Sequence, residues 1–290
     1  MPIEERNSRL MMILSMAIFG TIGILRRYIP YSSSIVALVR GIIGTAFLIL
    51  IVAVTNRTFN KRAIQDNLIL LFISGAAIGF NWIFLFEAYN YTSVATATLC
   101  YYLAPIIVIL LSPIVLKERL TAKKIACTIA AIIGTVLISG VLDNTSASEN
   151  FGSETKGILF GLLAALLYAS VILMNKKMKP IPAYDKTILQ LSMASVTLLP
   201  YVIFTENFGE ITFAAVPILL LVVAGVVHTG IAYTLYFSSI SSLKSHTVAL
   251  LSYIDPILAV LLSMVILKEP MTVSAAIGSV LILGASFISE

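Results

Sequence analysis

Apolar residues dominate this chain in long runs cut by short polar or charged punctuation. Ten such runs cover residues 10–29, 32–54, 67–89, 94–116, 122–142, 156–175, 186–204, 213–237, 242–266 and 272–288. Each approaches the roughly 20 helical residues that cross a hydrocarbon layer of about 30 Å. None alternates apolar and polar positions as the strands of a membrane barrel do. The pattern therefore predicts an all-α integral membrane protein with ten transmembrane helices. One polar Ser/Asn/Gly-rich segment, DNTSASENFGSET at 143–155, interrupts the series and reads as a flexible connection. It divides the chain into five helices over 1–142 and five over 156–290.

The two halves echo each other. LAPIIVILLSPIVLKERLT, from Leu103 to Thr121, returns as IDPILAVLLSMVILKEPMT, from Ile254 to Thr272. At one constant offset Pro105 answers Pro256, Ser112 answers Ser263, and Lys117-Glu118 answers Lys268-Glu269. Fainter matches place Phe19-Gly20 opposite Tyr168-Ala169, and Phe86 opposite Phe237. Such self-similarity fixes the structural unit as half the chain. Lys and Arg concentrate in alternate connections, which sets both termini in the cytoplasm. Because five is odd, the second half then enters the membrane in the opposite sense, with Lys117-Glu118 inside and Lys268-Glu269 outside. Two inverted halves are the signature of alternating-access transporters, with a substrate site near the midplane.

Composition narrows the class further. The chain is 59% hydrophobic and 11% charged, with mean hydropathy +1.01, too few charges to cover a soluble core of this size. The net charge of +5 lies in the connections, where it orients helices and indicates no nucleic-acid partner. Cys100 and Cys127 fall inside separate apolar runs and imply neither disulfide nor metal site. The first run lacks a cleavage site and reads as a retained helix. No Gly-rich phosphate loop is present, so no nucleotide and no other cofactor is implied.

The Pro-to-Glu blocks ending at Glu118 and Glu269, Arg40 early in the second run, and the ten-run layout with a polar middle resemble the EamA-type family of the drug/metabolite transporter superfamily. The resemblance covers essentially the whole chain. It implies two inverted five-helix repeats around a central cavity, lined mainly by the first, third, fourth, sixth, eighth and ninth helices. It also implies export, with substrates ranging from amino acids and metabolites to sugar phosphates and toxic organic compounds.

Ionisable groups inside membrane helices are costly and usually face a cavity or a partner. Asp255 directly precedes Pro256 in the middle of the ninth run, and the proline deprives the Ser252 carbonyl of its usual donor. A carboxylate beside a broken helix suits an amine, a cation or a proton; packing against a hydroxyl is the structural alternative. Arg40 lies about 12 Å below the outer end of its helix, at 1.5 Å per residue. It could hold an anionic group, although the breadth of substrates in the family favours a structural role. Glu87, near a helix end, could pair with Arg40, receive a cation or take up a proton. His228 is a candidate proton relay, with a neutral hydrogen-bonded ring as the commoner outcome; His246 lies near a helix end. Tyr101 and Tyr102 precede Pro105 as Tyr253 precedes Pro256, and such rings could form cavity walls. Trp82, Phe86 and Tyr89 make one helical stripe of packing or lipid contact, and Asn81 is a candidate cavity amide. Glycines at spacings of three or four read as packing surfaces.

The expected function is a plasma-membrane secondary transporter of a small polar metabolite, amino acid-like or related, working by alternating access and exporting its substrate. A proton-coupled exporter of drugs or organic cations is the alternative; a membrane-embedded enzyme or a channel fits less well. The expected partners are a small-molecule substrate and membrane lipid, with protons and a second copy of the chain left open.

Overall fold

A computed structural model describes residues 3–117, 121–138, 151–210, 214–240, 243, 247 and 251–289. Every regular element among the described residues is helical. In chain order these are α1 (Ile3–Gly20), α2 (Ile22–Arg27), α3 (Ser33–Val54), α4 (Lys61–Asp66), α5 (Leu68–Tyr91), α6 (Val94–Tyr101), α7 (Ala104–Val115), α8 (Ala122–Ile138), α9 (Phe151–Lys177), α10 (Ala183–Thr205) and α11 (Ala215–Gly225). A π-helical segment, Val226–Ile231, joins α11 to α12 (Ala232–Ile240). Two last helices follow, α13 (Ile254–Ile266) and α14 (Val273–Ser289).

Seven helical stretches are long and apolar enough to cross a membrane, and Ile254–Ile266 and Val273–Ala285 are shorter apolar helices. The runs predicted at 122–142 and 242–266 extend outside the described residues, as do Glu118, His246 and most of the 143–155 connection. The described end of that connection differs from expectation. Helix α9 starts at Phe151 rather than near residue 156. Glu154 stands in its first turn, where the exposed backbone N–H groups favour an anion, and Ser153 Oγ donates to the Tyr91 carbonyl at 3.2 Å.

Polar side chains start α3, α4 and α6. Ser32 Oγ accepts from Ile35 N–H, Asn60 Oδ1 from Ala63 N–H and Ser93 Oγ from Thr96 N–H, each satisfying an orphan donor of a first turn. The burial pattern departs from that of a soluble bundle at its surface and at a few interior positions. Ile69, Ile114, Phe204 and Val273 are largely exposed, as lipid-facing side chains are, whereas Arg40, Asn81, Gln190 and His228 are buried between helices. Lipid tails give apolar side chains no reason to leave them, so packing and interhelical hydrogen bonds hold the bundle.

Helix α5 packs along α9 and α10, α3 along α10 and α11, α1 along α12 and α13, and α6 and α7 along α9. Helices α8 and α14 pack on each other. They touch at Gly134 and Gly278, where a Cβ on either would lie within 2.7 Å of the other's carbonyl oxygen.

Candidate functional site

Four interruptions of regular helix converge in the bundle. The first separates α1 from α2 at Thr21, and the second separates α6 from α7 at Tyr102 and Leu103, with Pro105 in the first turn of α7. The third is the π segment after α11. The fourth lies at Tyr253, which caps the α13 turn holding Asp255 and Pro256. Proline lacks the N–H that would continue a preceding helix, which accounts for the second and fourth. Irregular backbone at membrane depth is tolerated where protein buries it or a cavity receives it.

Side chains join these interruptions. Tyr102 Oη donates to Asp255 Oδ2 at 2.7 Å, linking the two proline-bearing segments. Asp255 is half-buried and sits in the first turn of α13, where the helix dipole favours a negative charge. Gly20 makes this approach feasible, because a Cβ there would stand 2.7 Å from the Asp255 carbonyl oxygen. Next in sequence, Thr21 Oγ1 donates to the Ile18 carbonyl at 2.7 Å. It also lies within hydrogen-bond distance of His228 Nε2, 2.9 Å away, and the ring's tautomer sets which of the two donates. His228 Nδ1 lies 3.4 Å from the Val223 carbonyl, the weaker of its two contacts. Beside His228, Thr229 Oγ1 donates to the Ala224 carbonyl and accepts from Arg40 Nε at 2.9 Å.

Arg40 is 5% exposed. Its guanidinium carbon lies 4.4 Å from the centroid of the Trp82 ring and 5.6 Å from that of Phe86. Among the described residues, Thr229 is the only hydrogen-bond partner of its guanidinium, and neither Arg40 nor Asp255 is in an ion pair. The aromatic surroundings come from both halves. Tyr101 lies 5.3 Å from Tyr168, Phe19 lies 5.3 Å from Tyr233, and Tyr233 stacks on Phe237 at 5.8 Å. Tyr89 Oη and Thr98 Oγ1 are 3.3 Å apart. The network joins one guanidinium and one carboxylate, each without an ion-pair partner among the described residues, to several ring faces, the groups that orient a small polar organic molecule.

Residues 7–140 and, separately, 155–289 match the model of the EamA-like transporter family. The chain belongs to this family. It is similar to the uncharacterized transporter YxxF of Bacillus subtilis (strain 168), at 30% identity over 263 residues, 90% of this chain and 82% of that one. It is also similar to protein PecM of Dickeya dadantii (strain 3937), at 27% identity over 229 residues, 76% of this chain and 73% of the relative. A solved crystal structure shares the fold, with a TM-score of 0.67 at 19% identity over 97% of this chain and 96% of that chain. With its apolar helices, the chain is a multi-pass membrane protein of a transporter family.

The other candidate residues of this EamA-family chain lie in different surroundings. Asn81 Nδ2 donates to the Ala164 carbonyl at 2.6 Å, tying α5 to α9. Glu87 accepts weakly from Asn90 Nδ2 at 3.5 Å and makes no pair with Arg40. The Tyr253 ring stands edge-on to Phe287 of α14 at 5.6 Å, while Tyr102, its counterpart, turns to Asp255. Trp82, Phe86 and Tyr89 are buried in the main core, and Trp82 carries Arg40 on its face. Sequence reasoning passed over Thr21 and Thr229, which link His228 and Arg40 to the interruptions. A hydroxyl beside a glycine pair was the one available signal, and such residues are common in membrane helices. An open cleft of about 340 Å³ lies elsewhere, lined by Arg26, Arg27, Tyr31, Ser32 and Asn90 among others.

Proposed function

We propose that this chain is a secondary transporter of a small polar metabolite, amino acid-like or related, which it exports by alternating access through a central site between two inverted five-helix repeats. The observation that carries this reading is the Tyr102 to Asp255 hydrogen bond. It brings the two proline breaks, far apart in sequence, to one point and leaves a second carboxylate oxygen for a ligand. Arg40 supplies the opposite charge, with its terminal nitrogens uncommitted among the described residues and its plane backed by Trp82.

Several features support the two-repeat arrangement. Lys117 and Lys268, counterparts in the echo, are both in left-handed backbone, at φ 58° and 53°. A Cβ at Gly79 would meet Leu198, and one at Gly230 would meet Phe47, so one contact recurs with the halves exchanged. Helix pairing obeys the same exchange. Helix α5 lies on α9 as α12 lies on α1, and α10 lies on α5 as α3 lies on α11. The separate family matches to each half agree with this reading. Both termini lie in the cytoplasm of a cell whose plasma membrane houses the protein, by the distribution of Lys and Arg.

A second reading, a proton-coupled exporter of organic cations or drugs, draws on the rings of Tyr101, Tyr168, Tyr233 and Phe19 near the carboxylate. Ligand-dependent thermal shifts across amino acids, nucleosides, sugars and organic cations separate the two, because a ligand of the folded state stabilises it according to occupancy. For the ligand so found, Asp255→Asn should abolish uptake into vesicles or change its pH dependence while the protein stays folded. Unaltered uptake with unaltered pH dependence would remove Asp255 from the site.

A further inference from the structure

A second polar knot ties the halves together at one end of the bundle, and its centre is Glu269. Its Oε1 accepts from Arg27 Nη2 at 2.9 Å, at the C-terminal end of α2. Its Oε2 accepts from the backbone N–H of Val94 at 2.9 Å, in the first turn of α6, and from Ser263 Oγ in α13. Arg27 Nη2 also donates to the carbonyl of Thr92, at the turn between α5 and α6, at 2.7 Å. Glu269 follows Lys268, whose left-handed backbone turns the chain back toward α13, and its own N–H donates to the Ser263 carbonyl. The carboxylate is thus fixed by the segment that bears it and grips two elements of the opposite half.

We propose that Glu269 and Arg27 form a latch that closes the passage at this end and must part once in each transport cycle. The inference rests on the alternating-access reading above. Three observations favour a latch over a permanent brace. The contact joins the α13 segment, which carries Asp255 at its other end, to α2 and α6, which flank two of the other three breaks, at Thr21 and Tyr102. It is polar and partly exposed, with side-chain accessibilities of 31% for Arg27 and 15% for Glu269, so water can replace each partner when the knot opens. It also lies one helical turn beyond Thr98, which contacts Tyr89 in the interior. At 1.5 Å per residue, the four residues from Val94 to Thr98 descend about 6 Å toward the central site. A contact between halves that forms at one end while the other opens is what rocking bundles require.

The test reads accessibility and needs no substrate. Thr98→Cys is placed in a Cys100→Ala/Cys127→Ala background and reconstituted into vesicles. The face that bears Glu269 is fixed beforehand by labelling a separate Lys268→Cys protein. A membrane-impermeant charged methanethiosulfonate is then applied to each face in turn. Glu269→Gln keeps the shape and one acceptor but removes the charge. It should raise the modification rate of Thr98→Cys from the Glu269 face about tenfold, equivalent to 1.4 kcal/mol, and lower it from the opposite face. Arg27→Gln, which leaves the other contacts of Glu269 in place, should act in the same direction and carries the test if Glu269→Gln folds poorly. Equal rates in variant and parent, or a rise from both faces as general loosening would give, overturn the latch and leave the passage standing. A thiol modified from neither face in any variant, while Lys268→Cys reacts, overturns the central passage and the latch with it.

Discussion

The Tyr102 to Asp255 bond offers a measurement that bears on the chemistry of the site directly. At 2.7 Å, with a phenol donating to a carboxylate oxygen, it has the length of a charge-assisted hydrogen bond. Hydrogen bonds to charged groups contribute about 1.5–3 kcal/mol, whereas polar pairs between membrane helices measured by double-mutant cycles average about 0.6 kcal/mol. A cycle of Tyr102→Phe, Asp255→Asn and the double variant, followed by unfolding in mixed detergent micelles at neutral pH, isolates the pair from the separate effects of each change. The expected coupling is at least about 1.5 kcal/mol, because the half-buried carboxylate has no cationic partner among the described residues and leans on this hydroxyl. A coupling at or below about 0.6 kcal/mol would mean that the pair behaves as an ordinary neutral contact. The site would then lack the negative charge on which cation or amine binding depends.

Other expectations follow from the same geometry. Gly20→Ala should cost about 1–3 kcal/mol by the same unfolding titration, as overpacking does, because its Cβ would meet backbone at 2.7 Å. Gly284→Ala in α14, with nothing within 4 Å, should instead stabilise by about 0.5–1 kcal/mol; equal effects at the two positions would refute the close approach at Gly20. Arg40→Lys should destabilise by roughly 2–3 kcal/mol, since an ammonium cannot both stack on Trp82 and donate sideways to Thr229. Normal stability with altered ligand preference would instead make Arg40 a specificity residue alone. Lys117→Cys and Lys268→Cys should react with an impermeant reagent from opposite faces of the membrane, and reaction from one face would remove the inverted arrangement.

Helix content and membrane class were legible because run length alone decides whether a helix can span hydrocarbon, and no tertiary contact is needed to read it. The breaks at Tyr102 and Tyr253 were legible for a similar reason, since Pro105 and Pro256 act on their own helices. The break at Thr21 was not. No proline stands there, and what permits it is the α13 backbone lying against Gly20, a contact between residues more than 200 apart in sequence. The link from Tyr102 to Asp255 was hidden likewise. Both residues stood out singly, but the echo equates Tyr102 with Tyr253 and gives no hint that one of them crosses to the other half. Glu269 was visible as the end of a repeated block, whereas its partners Arg27 and Val94 lie in segments whose proximity only packing reveals.

The π segment shows where the two halves of the sequence, alike in their prolines and several glycines, part in chemistry. At 3.6 residues per turn an α-helix would set Gly225 and Gly230 about 140° apart. Both nevertheless face α3, Gly225 against Ile43 and Gly230 against Phe47. The wider i to i+5 winding of Val226–Ile231 brings them to one side, and the same turn aims Thr229 at Arg40 and His228 at Thr21. In the first half Gly79, the counterpart of Gly230, meets Leu198 from a regular helix. Ala104 likewise stands where the second half has Asp255. Agreement between the halves therefore resides in prolines, close glycines and left-handed lysines, which set backbone shape. Divergence resides in Asp255 and the π turn, so the charge and hydroxyls that a ligand would meet come from departures from the repeat, and substitutions that restore the repeat there, such as Asp255→Ala, should remove binding before they disturb the fold.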